Sequence, residues 1–188
     1  MTLSAREIAR RVNARNLSAR EVTAAHIARV EAHNPALNAV INFDPASALA
    51  EAESVDQRLA QGETLQLAGV PFTAKDNLWV GGRRISQGSK IFADFIAPRD
   101  AWSVARLRER GAVMVGITNC SEFACKGITT NLLHGTTRNP WDLNLTPGGS
   151  SGGAGARWRL RKVPNRCWVG LKSAYSYEYD NMYNISCI

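Results

Sequence analysis

Two short apolar stretches joined by one helical segment constrain the fold of this chain more than any other feature. The stretch "LAGVPFTAKDN" (67–77) is predicted to contain a strand, and "AVMVGI" (112–117) has the character of a buried strand. Between them, "RDAWSVARLRERG" (99–111) is predicted to be a helix that ends at Gly111. A strand, a crossover helix and a second strand form a βαβ unit, so part of the sheet should be parallel.

The N-terminal part of the chain is predicted to be helical. The motif "SARE" occurs at the start of two segments with helical apolar spacing, and each copy can form a capping box between its Ser and its Glu. Pro35, directly after Asn34, is expected to end the second helix. Asp44 and Gly62 are expected to bound a third. The predicted helices cover about residues 4–15, 18–33 and 44–62. The fold class is therefore mixed α/β, with helices flanking a partly parallel sheet on both faces.

Composition and charge argue for a soluble globular protein and against a nucleic-acid binder. The 188 residues are 45% hydrophobic, and no apolar run is long enough to span a membrane. Of the net charge of +7, residues 1–156 carry +3 and residues 157–188 carry +4. In the first of these ranges the basic residues are interspersed with acids, as on a solvated surface. We therefore expect no direct nucleic-acid contact and no membrane contact.

Cysteine and histidine positions suggest neither a metal site nor a disulfide framework. None of the four cysteines forms a CxxC pair, and no histidine lies beside them at metal-ligand spacing. Free thiols in the cytoplasm are the expectation, since the N-terminus also lacks the apolar segment of a secretory signal. The cysteines are Cys120, Cys125, Cys167 and Cys187, and the histidines, expected to be surface or packing residues, are His26, His33 and His134.

Two polar segments could carry chemistry. "PGGSSGG" (147–153) could be a flexible loop, a phosphate cradle, or a strained backbone that holds a nucleophilic or relay serine. No Lys-Ser/Thr pair follows the glycines, so the phosphate-loop pattern fails. Lys75 in "AKDN" could be a surface lysine at a strand end or a desolvated general base. Lys75 and Asn119 each follow a predicted strand, at the sheet edge where sites in parallel sheets gather.

The order of several motifs resembles the amidase signature family, which includes bacterial amidases and the A component of glutamyl-tRNA(Gln) amidotransferase. The resemblance covers about residues 1–156, and the combination is far more specific than any single piece. The motifs are "GVPFTAKDN", "GSKIF", "GAVMVGITNCSEFA", "GTTRNPWDL" and "PGGSSGGAGA".

The resemblance implies hydrolysis of a carboxamide C–N bond by a serine–serine–lysine triad without a metal or organic cofactor. The family's lysine corresponds to Lys75, and its relay serine, which follows a cis peptide bond, corresponds to Ser150. A neutral lysine can take a proton from that hydroxyl, which in turn can deprotonate the nucleophile. Ser151 is expected to support this geometry through hydrogen bonds, and Ala124 and Cys125 are expected to border the substrate pocket.

The sequence departs from the family pattern after Ala156. The nucleophilic serine of the family lies in a second Gly-Gly-Ser motif, which this chain lacks, and "RWRLRK" stands where the family has an apolar helix. Residues 163–175 partly resemble the segment that follows the nucleophile. We therefore divide the chain into an N-terminal part of an amidase domain (1–156) and an aberrant tail (157–188). We expect little or no amidase activity from the chain as written.

Several functional alternatives remain open at this point. The substrate could be a small free amide, or glutamine as the ammonia donor of a tRNA amidotransferase. The former is compatible with a homodimer, the latter requires a partner protein of the amidotransferase, and both belong in the cytoplasm. The missing Gly-Gly-Ser motif also allows a non-catalytic remnant that binds without hydrolysing.

Overall fold

A four-stranded mixed sheet organises the residues described by the computed structural model, which are 3–156 and 169–170. The described strands are β1 (Val40–Phe43), β2 (Pro71–Lys75), β3 (Val113–Thr118), β4 (Thr130–Asn131), β5 (Gly135–Thr136) and β6 (Val169–Gly170). The described α-helices are α1 (Ala5–Asn13), α2 (Ala19–Leu37), α3 (Pro45–Ala60), α4 (Trp102–Glu109) and α5 (Gly152–Ala156). Two 3₁₀ turns lie at Lys90–Phe92 and Glu122–Ala124.

The predicted βαβ unit is confirmed. β2 and β3 pair in parallel, with Lys75 opposite Thr118, and α4 lies between them in the sequence. β1, which the sequence analysis did not predict, pairs antiparallel with β3 and makes the sheet mixed. On the other side of β2, Val169 and Gly170 pair in parallel with Phe72 and Thr73. The sheet order is β1-β3-β2-β6, and β4 and β5 form a separate two-stranded pair.

Helices cover both faces of the sheet, as predicted, because alternate side chains of a strand point to opposite faces. Val113 packs with the buried apolar residues of α1, α2 and α3, and Val115 packs with α2 and Ala156 of α5. Met114, between them, packs with Val104 and Leu107 of α4 on the other face. Burial of these side chains supplies most of the favourable free energy that joins the layers.

The predicted end of the second helix was wrong. The helix α2 continues through Pro35 to Leu37. The Asn34 side chain accepts from the amides of Ala39 at 2.9 Å and Val40 at 2.8 Å and therefore fixes the end of the helix. Asn38 follows in the left-handed conformation, and its amide donates to the Asn34 carbonyl. These contacts satisfy the amides that follow the last turn and stabilise the end of the helix, although Pro35 donates no hydrogen bond.

One of the two predicted capping boxes is formed. Ser18 and Glu21 satisfy each other's backbone amides at the start of α2. At the start of α1, the Ser4 hydroxyl accepts from the amide of Glu7, as predicted, but the Glu7 carboxylate does not reach back. It binds Arg10 and Arg11 instead, because guanidinium groups one turn away offer charged donors.

None of the helices within the described residues is long and apolar enough to cross a membrane.

Candidate active site

The strand β2 brings Lys75 into the interior at its carboxyl end. All five residues of this strand are buried, and Phe72 and Ala74 face the α4 side of the sheet. Lys75 therefore points to the opposite face, where α5 packs. Its side chain is 0% exposed. A buried lysine is an uncommon feature that calls for a partner or for the loss of its charge.

The surroundings of Lys75 favour the neutral amine. Burial lowers the pKa of Lys75 below its ordinary value of 10.5. The nearby Cys120 opposes this shift, but burial raises the pKa of the Cys120 thiol to about 12, so the thiol carries no charge near neutral pH. Among the described residues Lys75 forms no ion pair with a carboxylate. The amine can therefore act as a base.

Ser150 lies directly against Lys75. Lys75 Nζ donates to Ser150 Oγ at 2.7 Å, across 75 positions of the sequence. Ser150 is 4% exposed, and the peptide bond between Gly149 and Ser150 is cis. The Ser150 carbonyl accepts from the amide of Ser121 at 3.3 Å. The two candidate catalytic residues, placed far apart in the chain, thus share one buried hydrogen bond.

The glycines after the two serines permit a close approach to the sheet. A Cβ on Gly153 would lie 2.5 Å from the amide nitrogen of Asn119 and 2.6 Å from the carbonyl oxygen of Ala39. The Gly153 amide donates to the Asn119 carbonyl at 3.1 Å. Only a residue without a side chain can bring the start of α5 this near to the end of β3. Asn119 therefore anchors the loop, and its own side chain donates to Thr137 at 3.0 Å.

Two neighbours of the loop also fix its course. The side chain of Asn139 donates to the carbonyl of Thr146, where the loop begins, at 3.1 Å. The hydroxyl of Thr129 accepts from the amide of Gly152 at 2.8 Å and donates to the carbonyl of Gly148 at 2.9 Å. Ser151 contributes through its backbone, since its carbonyl accepts from the amide of Gly155. The resemblance implied that the Ser151 side chain forms supporting hydrogen bonds. Among the described residues its hydroxyl forms none.

The residues expected to border the substrate pocket lie beside the serine loop. Ala124 is half-buried and Cys125 is exposed, and both follow Ser121, which contacts Ser150. The backbone of Gly127 and Ile128 packs directly on Gly149. The segment from 121 to 128 thus runs along the loop that carries Ser150 and forms one side of its surface.

A buried polar network next to Lys75 was missed by the sequence analysis. The Asp76 carboxylate accepts from the amide and hydroxyl of Ser86 and from the amide of Gly88. Nε2 of His134 lies 2.8 Å from the Ser86 hydroxyl and 3.9 Å from the Asp76 carboxylate. Because the Ser86 hydroxyl hydrogen points to Asp76, His134 must donate to that oxygen. His134 therefore has a defined polar partner, and no local sequence pattern indicates this link.

The network lines a cavity of about 410 Å³ on the β1 side of the sheet. Asp76, Ser86 and His134 line this cavity together with Arg83 and Arg84. Arg83 is held by Asp44 at 3.0 Å. Burial raises the pKa of Asp76 and lowers the pKa of His134, so both groups are shifted toward their neutral forms.

The described residues contain no cluster of three or more His, Cys, Asp or Glu side chains that could hold a metal ion.

The site thus consists of a buried amine in contact with a hydroxyl, on a tightly packed glycine loop at the carboxyl ends of two parallel strands. Such a pair can move a proton between a substrate or second nucleophile and the lysine amine. This is the arrangement of a hydrolase or acyl-transfer enzyme.

The comparisons agree with this class. The family model described as Amidase matches residues 21–157, so the chain belongs to the amidase family. The A component of glutamyl-tRNA(Gln) amidotransferase from Alkalilimnicola ehrlichii is 46% identical over 158 residues, which are 84% of this chain and 33% of that protein. The chain therefore spans about one third of the length of the curated relatives that it matches.

Solved structures show the same similarity. A bacterial aryl acylamidase of the amidase signature family superposes with a TM-score of 0.77 and 33% identity, over 82% of this chain and 33% of that one. The native peptide amidase from Stenotrophomonas maltophilia gives a TM-score of 0.76 and 35% identity, over 84% of this chain and 34% of that one. The fold and the family suggested by the sequence motifs are confirmed by these matches.

Proposed function

We propose that residues 1–156 are the N-terminal part of an amide hydrolase in which Lys75 and Ser150 form the proton relay. The observation that carries this proposal is the buried 2.7 Å hydrogen bond between Lys75 Nζ and Ser150 Oγ. A lysine at this distance, with its charge disfavoured by burial, is positioned to exchange a proton with the hydroxyl.

The relay operates through two transfers. The neutral Lys75 amine accepts the hydroxyl proton of Ser150, and the Ser150 oxygen accepts a proton from the attacking nucleophile. Reversal of these transfers delivers a proton to the leaving amine when the C–N bond breaks. Ser121 and Thr129 hold the serine loop in place through backbone contacts, so the geometry does not need to reorganise during the reaction.

The chain as written lacks the nucleophile for this relay. No second Gly-Gly-Ser motif follows Ala156 in the sequence. The Ser121 hydroxyl, on the residue whose amide contacts Ser150, donates to the Lys126 carbonyl at 3.3 Å and is already engaged. We infer that amide hydrolysis by this chain is negligible, because the relay has no second serine from which to take a proton.

The match to the family model ends at residue 157, which supports the proposed division at residue 156. One feature of the tail agrees with the partial resemblance at 163–175. Val169 and Gly170 pair in parallel with β2, and they belong to the segment 163–175 that partly resembles the family. The rest of the tail, including Pro164, Cys167 and Lys172, lies outside the described residues.

Two substrate classes remain for the parent activity. The relatives named as components of glutamyl-tRNA(Gln) amidotransferase favour glutamine, the cytoplasm and a partner subunit. The aryl acylamidase and peptide amidase structures favour a small amide cleaved without such a partner, for which a homodimer is compatible. In either case we propose that Ala124 and Cys125 contact the substrate, since their segment borders Ser150.

The second candidate function is that of a non-catalytic remnant, which binds without hydrolysing. The missing nucleophile motif favours it.

A chimera tests the relay. Residues 1–156 are joined to the part of the bacterial aryl acylamidase that follows its matching region, and aryl amide hydrolysis is measured. We expect activity that falls by roughly 100-fold or more in Lys75→Met and Ser150→Ala. The exposed Lys90→Met is the matched control and should retain activity. An active chimera that does not respond to either substitution would refute the proposed relay.

A further inference from the structure

We propose that Ser150 of this chain is itself acylated by small activated esters, with Lys75 as the base that accepts its hydroxyl proton. The inference rests on the proposed role of Lys75 as a base, but it requires no second serine and no amide cleavage. It assigns the chain, as it stands, a reaction of its own.

The geometry of the pair meets the first requirement of a serine nucleophile. Serine becomes reactive when a base lies within hydrogen-bond reach of its oxygen, and Lys75 Nζ lies 2.7 Å from Ser150 Oγ. Serine–lysine pairs of this kind are an established alternative to serine–histidine pairs. Among the described side chains only Lys75 shares a hydrogen bond with Ser150 Oγ, so one of the two lone pairs of this oxygen stays available for attack.

The electrostatic surroundings meet the second requirement. A lysine that is protonated cannot accept a proton, and a carboxylate partner would hold it in that form. The nearby carboxylate of Asp76 is bound by Ser86 and Gly88, and the nearby Cys120 thiol is neutral. Among the described residues Lys75 thus shares no hydrogen bond or ion pair with a carboxylate that would hold it in the protonated form.

The backbone of the loop can stabilise the negative oxygen that forms during attack. Within the described part of the chain, the amides of Ser150 and Ser151 donate to no acceptor. Free amide groups beside a nucleophile can bind an oxyanion. Only 4% of Ser150 is exposed, so the acyl group must be small, such as acetyl.

The reaction is balanced without any further reactant. Ser150 Oγ forms a bond to the ester carbonyl carbon while Lys75 Nζ takes the hydroxyl proton. The bond from that carbon to the ester oxygen then breaks, and the leaving group departs as an anion, which is a phenolate if the substrate is a phenyl ester. The proton then passes from Lys75 to this anion or to water. Water later attacks the acyl-serine and releases the carboxylic acid and free Ser150. An activated ester permits this sequence because its leaving group does not need the strong protonation that an amine requires.

To test the inference, the purified full chain is treated with p-nitrophenyl acetate. The release of p-nitrophenolate is followed over time, and the acetylated residue is identified by peptide mass spectrometry. We expect a burst of no more than one phenolate per chain and one acetyl group on Ser150. Ser150→Ala should abolish both, and Lys75→Met, checked for folding by circular dichroism, should slow acylation by roughly 100-fold or more. Ser54→Ala, which removes an exposed hydroxyl on α3, should leave the burst unchanged.

Two results would overturn the inference: acetylation confined to surface lysines, or Ser150 acetylated at the same rate in a folded Lys75→Met variant.

The dependence of the acylation rate on pH, measured on the unsubstituted chain, is an independent test. The acylation rate should rise as Lys75 loses its proton and level off below pH 10.5. A rate with no such plateau contradicts a role for Lys75. Any of these results would contradict acylation of Ser150 but not the proposed proton relay. The chimera tests Ser150 as a proton carrier, which requires no bond between Ser150 and the substrate.

Discussion

At the scale of single residues, Lys75 combines complete burial with the lack of a described counter-charge. The cost of burying an ammonium group is avoided when the amine stays neutral. The same burial that would disfavour an ordinary lysine thus prepares this one as a base. Its partner Ser150 needs no charge, so the pair can form its hydrogen bond without an ion.

This burial predicts a dependence of stability on pH. The unfolded chain protonates Lys75 below pH 10.5, whereas the folded chain keeps it neutral until its lowered pKa is reached. Between these two values the unfolded state binds more protons, so the free energy of unfolding should decrease as the pH falls. Urea unfolding at a series of alkaline pH values measures the slope. Lys75→Met should reduce it, and the exposed Lys90→Met should not. Equal slopes for all three proteins would show that Lys75 is charged in the folded state.

Asp76 provides a second prediction at this scale. Asp76→Asn places an amide group where three donors converge, so at least one donor loses its acceptor. We expect a loss of about 2–4 kcal/mol in the free energy of unfolding, measured by urea denaturation. Asp94→Asn is the control, because its side chain is 93% exposed and its ion pair with Arg84 is long at 3.7 Å. Equal stability of the two variants would show that the network carries little energy.

Part of the candidate site could be predicted from the sequence. Lys75 and Ser150 were placed by their resemblance to family motifs, whereas spacing alone left a surface lysine and a flexible loop open. Their contact spans 75 residues, and no local pattern encodes it. The link from Asp76 through Ser86 to His134 was missed for the same reason, since each of these residues is ordinary in its own segment.

At the scale of elements, the short helix α5 positions the serine loop by its glycines. Gly153→Ala would force a Cβ against the backbone of Asn119 and Ala39, and the loop would have to move. We expect a loss of stability of about 1–3 kcal/mol, measured by thermal unfolding, together with slower acylation of Ser150. Gly155→Ala is the matched control in the same helix, because its Cβ would lie 3.5 Å from the Pro147 carbonyl, an ordinary contact. If the two variants unfold alike, close packing of α5 is not what holds the loop.

The elements themselves were predictable to different degrees. The parallel pair β2 and β3 and the helix α4 follow from long, clearly patterned segments. β1 has four residues, too few to show alternation, and its pairing with β3 depends on tertiary contacts. The end of α2 was misplaced because Pro35 was taken as a stop, and the side-chain contacts of Asn34 that support the last turn are tertiary information.

At the scale of the whole molecule, the chain spans about one third of the length of its curated relatives, and the proposed relay pair Lys75 and Ser150 lies within that third. Several large apolar side chains are exposed in the described part, among them Trp141 at 84% and Leu132 at 83%. Exposed side chains of this size commonly mark surfaces that pack against further protein. Trp141 and Leu132 are therefore candidates for such a surface.

We propose that this chain has the proton relay of its family but lacks the nucleophile. Amide hydrolysis by the purified full chain tests this most directly. Release of ammonia from glutamine and of aniline from an acetanilide is followed for the unsubstituted chain and for Ser150→Ala. We predict no difference between them, because the proposed proton relay of Lys75 and Ser150 has no nucleophile motif to act on. Sustained turnover of either amide that disappears in Ser150→Ala would contradict this prediction and would mean that this chain is a complete amidase.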